Sequence, residues 1–242
     1  MSESSIQKKR FSKCDTYTRI DTRVIKVRRT IRSLLKNLNS KNIRMLDVGC
    51  ADGEILKPFT KKYDVFGLDI SEPLIKSALK NSNYKEATVH DLSVDRIPYE
   101  DSFFDVVFTG ETIEHVIDTD KFLYEINRVL KRNGTLVMTF PNIRTVLSLL
   151  LMLFNYPPRL SSRYRSPHYR DFTTKLMSIA LKNNGFEVNK YIGTSFHFPV
   201  IGDFGSIFAS MIPSFSDQVI VVAFKKEGAT YDESNSINEI LY

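Results

Sequence analysis

The 242-residue chain is poor in cysteine and lacks any long hydrophobic run, and each shortage excludes something. Only Cys14 and Cys50 are present, far apart in sequence, so no disulfide framework is expected. Such sparing use fits a reducing compartment and predicts a cytoplasmic protein. The longest apolar stretch, Val146 to Phe154, is interrupted by Ser148 and reaches about half of the ~20 residues a membrane-spanning helix needs. No transmembrane segment is therefore expected. The N-terminus is polar and basic, without the apolar core of a secretion signal. No internal repeat is visible.

What is present is ordinary for a globular protein: 42% hydrophobic and 26% charged residues, at a length that suits one domain with a small elaboration. The net charge of +6 is unevenly spread. Residues 1–44 hold thirteen Lys or Arg against three acidic residues, whereas the remaining 198 hold 21 basic and 25 acidic ones. A basic N-terminal element of this kind meets phosphates, RNA or an anionic membrane surface, or is simply a solvated helix face.

The most informative stretch is Leu46 to Gly53, LDVGCADG. The apolar run Ile43–Val48 predicts a strand, the small residues predict a turn, and a helix is expected from about Gly53 to Thr60. A strand handing over to a helix through Gly49, Ala51 and Gly53 lets backbone approach a ligand closely. A dinucleotide G-x-G-x-x-G frame would fall on Gly49, Ala51 and Glu54, and Glu54 would crowd the helix and oppose a pyrophosphate. The tighter G-x-G-x-G frame, with Ala51 in the middle, fits better. Asp47, just ahead of the turn, is suited to receive an ammonium group, which NAD lacks and S-adenosylmethionine has.

Along the rest of the chain, residues 1–16 read as a flexible tail and 17–225 as one domain. Tyr17–Leu38 reads as an amphipathic helix, with Ile20, Val24, Val27, Ile31, Leu34, Leu35 and Leu38 in one stripe. Arg23, Lys26, Arg29, Arg32 and Lys36 fall on the other side. A second strand, Asp64–Leu68, ends in Asp69, whose two carboxylate oxygens suit ribose hydroxyls or an N-cap for the helix Pro73–Lys80. Strands follow at Ala87–His90, Phe103–Phe108 and Thr135–Phe140. A helix is expected over Asp118–Leu130, closed by Lys131–Gly134. The apolar helix Ile143–Phe154, a Pro-, Ser- and Arg-rich connection Asn155–Arg170, a helix Phe172–Asn184 and strands Phe186–Ile192 and Gln218–Phe224 complete the domain. Residues 226–242 read as a second flexible tail.

On these stations, residues 43–140 resemble a class I S-adenosylmethionine-dependent methyltransferase. RVLKRNGTLVMTFPN closely resembles the same segment of small-molecule O-methyltransferases in that superfamily. The resemblance implies an α/β, Rossmann-like, seven-stranded sheet with helices on both faces and the last strand antiparallel. It also assigns a cofactor site. Asp47, Gly49 and Gly53 would hold the methionine part of S-adenosylmethionine, Asp69 the ribose, Asp91 and Leu92 the adenine, and Gly110 the amino end. Cys50, Ala51, Ile70 and Thr109 would lie beside them.

Glu111, Glu114 and His115 form E-x-x-E-H at the carboxyl end of the fourth strand. If the segment is helical, the three share one face, either as a divalent-metal site for Mg2+ or with His115 as a general base. The triplet is similar to that of ubiquinone-biosynthesis O-methyltransferases, which act on a phenolic prenyl-tailed substrate. It also resembles that of small-RNA 2′-O-methyltransferases, where a later histidine joins it around magnesium. His168, ahead of Phe172-Thr173, is the candidate later histidine, and the H-x-x-x-F-T pattern also occurs in sugar- and lipid-pathway methyltransferases. His90 and His197 carry no partner pattern.

The helix 143–154, with Phe196, Phe198, Phe204, Phe208 and Phe215 in the substrate-side elaboration 143–216, frames a greasy cleft, a membrane-facing patch or ordinary core. The function expected is methyl transfer to a hydroxyl of a small-molecule, prenylated or sugar-containing acceptor. The rivals are an RNA 2′-O-methyltransferase and a non-catalytic scaffold.

Overall fold

The computed structural model describes residues 20–38, 42–92, 95–158, 168–198, 202–226 and 229. The expected tail 1–16, nearly all of the tail 226–242, and residues 159–167 of the Arg-rich connection lie outside these.

Continuous buried runs build the sheet. The strands are β1 (Arg44–Val48), β2 (Asp64–Asp69), β3 (Glu86–Val89), β4 (Phe104–Gly110), β5 (Leu130–Pro141), β6 (Phe186–Gly193), a small hairpin of β7 (Phe196–Phe198) and β8 (Gly202–Phe204), and β9 (Gln218–Lys225). The main sheet has seven strands in the order β3-β2-β1-β4-β5-β9-β6. The first five are mutually parallel, and β9 lies antiparallel between β5 and β6. The α/β seven-stranded expectation holds, with its final strand reversed.

Helices cover both faces, as a parallel sheet requires. They are α1 (Thr22–Asn37), α2 (Glu72–Ser82), α3 (Thr119–Val129), α4 (Val146–Leu153), α5 (Thr174–Asn183) and α6 (Ser206–Met211). Leu46, Val48 and Leu68 pack with Phe122, Leu123 and Ile126 of α3 and with Met177 and Leu181 of α5. Met45, Val65 and Val106 point the other way, toward Val27, Ile31 and Leu35 of α1 and Ile75 of α2. The strand order reverses between β1 and β4, which opens a crevice beyond their carboxyl ends.

α1 begins at Thr22, where Asp21 caps it by accepting from the Val24 N–H at 3.0 Å, and residues 17–19 of the expected helix lie outside the described residues. Ile20 thus leaves the stripe and is exposed. The opposite, basic face is not uniform. Lys26 Nζ reaches Gly193 O at 2.7 Å, Thr194 O at 2.9 Å and Ser210 Oγ at 2.7 Å, pinning the helix to the end of β6 and to α6. Arg29, Arg32 and Lys36 remain exposed.

Two expected elements are corrected. No α-helix follows the glycine turn, where only a 3-10 turn, Lys57–Phe59, forms. Pro58 has no N–H for Glu54 O, and Arg28 takes the carbonyls of both Glu54 and Ile55, at 2.5 and 3.1 Å, in place of helix donors. Nor does Gly134 cap α3. The helix ends at Val129, and β5 starts at once, with a register irregularity between its pairs Phe104–Leu130 and Val106–Thr135. The left-handed residue there is Asn133, at φ +62°.

The apolar helix is also shorter than expected. Ile143 N donates to Phe172 O at 3.0 Å, and Thr145 caps α4. Most of its side chains are not core.

Candidate active site

The crevice is walled by the turn after β1 (Gly49, Ala51), the end of β2 (Asp69, Ile70) with Leu74 of α2, the loop after β3 (His90, Asp91, Leu92), and the segment after β4 (Gly110–Thr112, His115, Val116). Apart from Leu74, each contribution comes from the segment at the carboxyl end of a strand.

The turn is strained by design of its sequence. Gly49 and Gly53 sit at φ +74° and +73°, and Ala51 adopts φ +49° although it carries a side chain. A Cβ on Gly49 would collide with Thr112 Oγ1, so this wall approaches the β4 segment backbone-first. One on Gly53 would lie 2.9 Å from Ser82 Cβ, so Gly53 serves packing against α2 and does not line the crevice. Asp69 holds the turn shut. Its Oδ2 accepts from Ala51 N at 2.8 Å, and its Oδ1 accepts from Ser71 N at 2.9 Å. The Ile70 N–H is a third backbone donor to this carboxylate, which leaves one of its four lone pairs for a further donor. Burial pushes this carboxyl up, opposed by those backbone donors.

Several expected residues lie behind the wall. Cys50 is buried with its thiol toward Gly67, where a Cβ would come within 2.9 Å of Sγ, and burial pushes its pKa well up. Only its backbone faces the turn. Thr109 is fully buried in β4. Asp47 is 1% exposed, with Oδ2 accepting from the Tyr84 hydroxyl at 2.6 Å, while Oδ1 is buried without a partner among the described residues. Burial, against the Tyr84 hydrogen bond, raises its pKa to about 7.

A stability prediction follows for Asp47. Its folded pKa of about 7 lies above the model-peptide 3.8, so its contribution is complete below pH 4 and is lost as pH rises to about 7. In Asp47→Asn this loss should vanish. Chemical denaturation should find the variant gaining on the wild type by about 3–5 kcal/mol between pH 4 and pH 8. A constant difference across that range would show that Asp47 is ionised throughout.

E-x-x-E-H does not form the single helical face expected of it. Glu111 is left-handed, at φ +53°, and only a 3-10 turn, Ile113–His115, follows. Glu111 Oε1 accepts from Thr139 Oγ1 at 3.0 Å and Oε2 from Gln218 Nε2 at 3.1 Å. Burial raises its pKa, against the pull of Arg23 from α1. Glu114 is 1% exposed, and burial together with the Glu111 charge pushes its carboxyl well above the usual range. Its Oε1 lies 4.0 Å from His115 Nε2.

His168 joins them. The His115 and His168 rings stand edge to face with centroids 5.0 Å apart. The 168–170 segment is tethered by Tyr169 N donating to Glu114 O at 2.8 Å and Arg170 Nε donating to Ile117 O at 3.2 Å. Ligand atoms of Glu114, His115 and His168 all lie within 4.8 Å of one another. The three residues whose ligand atoms converge are thus Glu114, His115 and His168, while Glu111, near enough for its charge to act on Glu114, is bonded to Thr139 and Gln218.

Sequence reasoning missed Leu74, Thr112 and Val116 on the wall and Tyr84 behind it. Thr112 lies inside E-x-x-E-H, between Glu111 and Glu114, and His90 directly precedes Asp91, so both had a positional signal.

Comparison with known proteins agrees with this geometry. Residues 46–138 match the family described as a methyltransferase domain. The ubiquinone biosynthesis O-methyltransferase of Pelagibacter ubique is 32% identical over 114 residues, 46% of this chain and 47% of that one. The enzyme of the same name from Maricaulis maris is 26% identical over 163 residues, 65% and 64% of the two chains. The chain therefore spans about half to two thirds of these curated relatives. Among solved structures, magnesium protoporphyrin IX methyltransferase from Synechocystis, with SAH bound, superposes with TM-score 0.62 at 15% identity over 93% of this chain and 100% of that one. A SAM-dependent methyltransferase of Thermotoga maritima, described as a possible histamine N-methyltransferase, gives 0.58 at 21% identity, covering 84% and 94%. Residues 46–138 thus resemble a methyltransferase domain, and the chain shares the seven-stranded fold of these solved methyltransferases.

Proposed function

From this resemblance we propose an enzyme that transfers a methyl group from S-adenosylmethionine to a hydroxyl of a small-molecule acceptor, prenylated or sugar-containing. One observation carries the reading. The crevice at the ends of β1, β2 and β3 continues without interruption past Gly110 and Thr112 to His115, where Glu114 and His168 converge.

The residues present fit the cofactor. The Gly49 wall has no room for a side chain, Asp69 lines the crevice with one lone pair to spare, and Asp47 Oδ1, beside the turn, is a buried acceptor without a partner among the described residues. When bound, S-adenosylmethionine supplies a methyl on a sulfonium that is displaced in line by the acceptor oxygen. Asp69 and Ile70 would position the ribose, Asp91 and Leu92 the adenine, and Asp47, Gly49, Cys50 and Ala51 the methionine part through carboxylate and backbone, with Gly53 fixing the turn from behind. Thr109 and Gly110 would border its amino end. His115 would accept the hydroxyl proton, oriented by Glu114 and His168.

A second use of the same cluster is a divalent ion held by Glu114, His115 and His168. One carboxylate with two imidazoles suits a borderline transition metal better than Mg2+, which favours oxygen donors.

The test is labelling. Methyl-labelled S-adenosylmethionine, the purified protein and extract from cells lacking it should place label in a solvent-extractable or water-soluble pool. Label in a nuclease-sensitive pool would replace this reading with RNA methylation. Label in none, with S-adenosylhomocysteine still bound, would favour a scaffold.

A further inference from the structure

The exposed cations of α1 are not scattered. Arg32 and Lys36 line a groove of about 500 Å³, and Lys62 joins them from the segment after the 3-10 turn. That volume falls within the roughly 300–1,000 Å³ of small-molecule sites. Leu35, Phe59 and Tyr63 supply its floor. Leu35 and Phe59 are 5% and 4% exposed and belong to the core packed under α1, so the floor is rigid. The walls are tied together as well. Arg28 of α1 donates to Ile55 O at 3.1 Å and to Glu54 O at 2.5 Å. Lys62 N and Tyr63 N both donate to Phe59 O, at 3.1 and 3.0 Å.

The acids nearby in the chain are engaged elsewhere. Glu54 pairs with Arg28 and Lys57 at 3.3 and 3.1 Å, and Asp64 pairs with Lys85 at 2.6 Å. Among the described residues, no Asp or Glu lines the groove, and none pairs with Arg32, Lys36 or Lys62. Lys36, in the last turn of α1, offsets the partial negative charge of that helix end. Three cations still meet over an apolar floor without a counter-charge, and such an arrangement attracts an anion. The groove is also remote from the crevice. Tyr63 immediately precedes β2, whereas the crevice lies beyond Asp69 at the other end of that strand. Six residues of strand, about 20 Å, separate the two.

We propose that this groove binds a nucleotide, its phosphates on Arg32, Lys36 and Lys62 and its base against Tyr63, at a site separate from the crevice. A bare phosphate has no use for a floor of Leu35, Phe59 and Tyr63. A phosphate joined to a flat ring uses both features. Guanidinium and ammonium groups bind phosphate oxygens, and an aromatic side chain stacks a base of any kind. Lys62 Nζ lies 5.1 Å from the Tyr63 ring centre, which sets charge and stacking surface side by side. Free nucleotides and RNA share this chemistry, and the test separates them. The inference does not depend on methyl transfer, because none of these residues lines the crevice.

The test is calorimetric titration of the full chain at low salt with GDP, pyrophosphate, guanosine and a single-stranded oligouridylate. GDP should bind at least about tenfold more tightly than pyrophosphate or guanosine, because only GDP meets both halves of the groove. Arg32→Glu/Lys36→Glu and Lys62→Glu should each weaken GDP about tenfold or more. Tyr63→Leu should weaken GDP about tenfold and leave pyrophosphate unchanged. The three charged positions are exposed, so melting temperature in the charge reversals should stay within about 2 °C of the wild type. An oligouridylate that binds more tightly than GDP, and loses that advantage in the charge reversals, makes RNA the source of the nucleotide. Weaker oligouridylate binding makes the source a free nucleotide. The proposal is overturned if neither GDP nor the oligouridylate binds, if the charge reversals leave GDP untouched, or if S-adenosylhomocysteine displaces GDP. It is also overturned if the chain floats with phosphatidylglycerol vesicles, GDP does not compete, and the same charge reversals abolish flotation, which would give the cations to a membrane surface.

Discussion

Replacing His115 by alanine should lower kcat for methyl transfer by about 10²- to 10⁴-fold, the range a positioned general base supplies. S-adenosylhomocysteine affinity should stay within about threefold, because His115 lies at the far end of the crevice from Asp69 and Asp91, the residues proposed for the nucleoside. The measurement is steady-state transfer to the acceptor identified by labelling, beside calorimetric titration of S-adenosylhomocysteine. Companion variants separate the two uses of the cluster. If His115 acts as a base, chelators leave the wild type active and His168→Ala costs far less than His115→Ala. If the cluster holds a metal, chelation abolishes activity, and Glu114→Gln, His115→Ala and His168→Ala fall together, since each removes one of the three converging ligands. An unchanged kcat in His115→Ala would remove this residue from the chemistry altogether.

Asp69→Asn should weaken S-adenosylhomocysteine binding on the order of 100-fold, equivalent to about 3 kcal/mol. The change is nearly isosteric and isolates acceptor capacity. The carboxylate receives Ala51 N on one oxygen and Ser71 N on the other, and an amide has only one oxygen to give them. Its NH2 would face a backbone N–H, leaving a buried donor unanswered at a cost of about 1–3 kcal/mol. The turn at Ala51 would loosen, and the ribose would lose an acceptor. Melting temperature should fall by about 2–10 °C, and titration calorimetry should report the affinity. Lower stability with unaltered affinity would reduce Asp69 to a clasp for the glycine turn.

The parts of the fold visible in the sequence were those whose signals are local. Short apolar runs buried on both faces placed β1, β2 and β4 within a residue or two, and the turn residues and Asp69 followed from their position at strand ends. Expectations failed where a distant group competes for the same backbone. The helix after Gly53 has adequate composition, but Pro58 withdraws one donor and Arg28, from another helix, takes two carbonyls. Asn133 rather than Gly134 turns the chain because the hydrogen-bonding demands of β5 begin at Leu130. In the candidate site, the left-handed Glu111 breaks the even spacing on which a shared helical face depended, and its partners Thr139 and Gln218 are 28 and 107 residues away. Lys26 shows the same limit. Its helix face was legible, but its acceptors lie more than 160 residues downstream.

The place of β9 bears on how the chain is made. β5 emerges from the ribosome with β4 already available on one side, but its other neighbour is β9, more than 75 residues later. β6 is translated first, yet it cannot add to the sheet directly, because β9 must be inserted between them. Until Gln218–Lys225 has been synthesised, the core strand Leu136–Phe140, apolar except for Thr139, is an open edge, able to pair with a neighbouring nascent chain. The vulnerable interval in this protein's life is thus the translation of residues 142 to 225, and closure of the sheet is a late, single event.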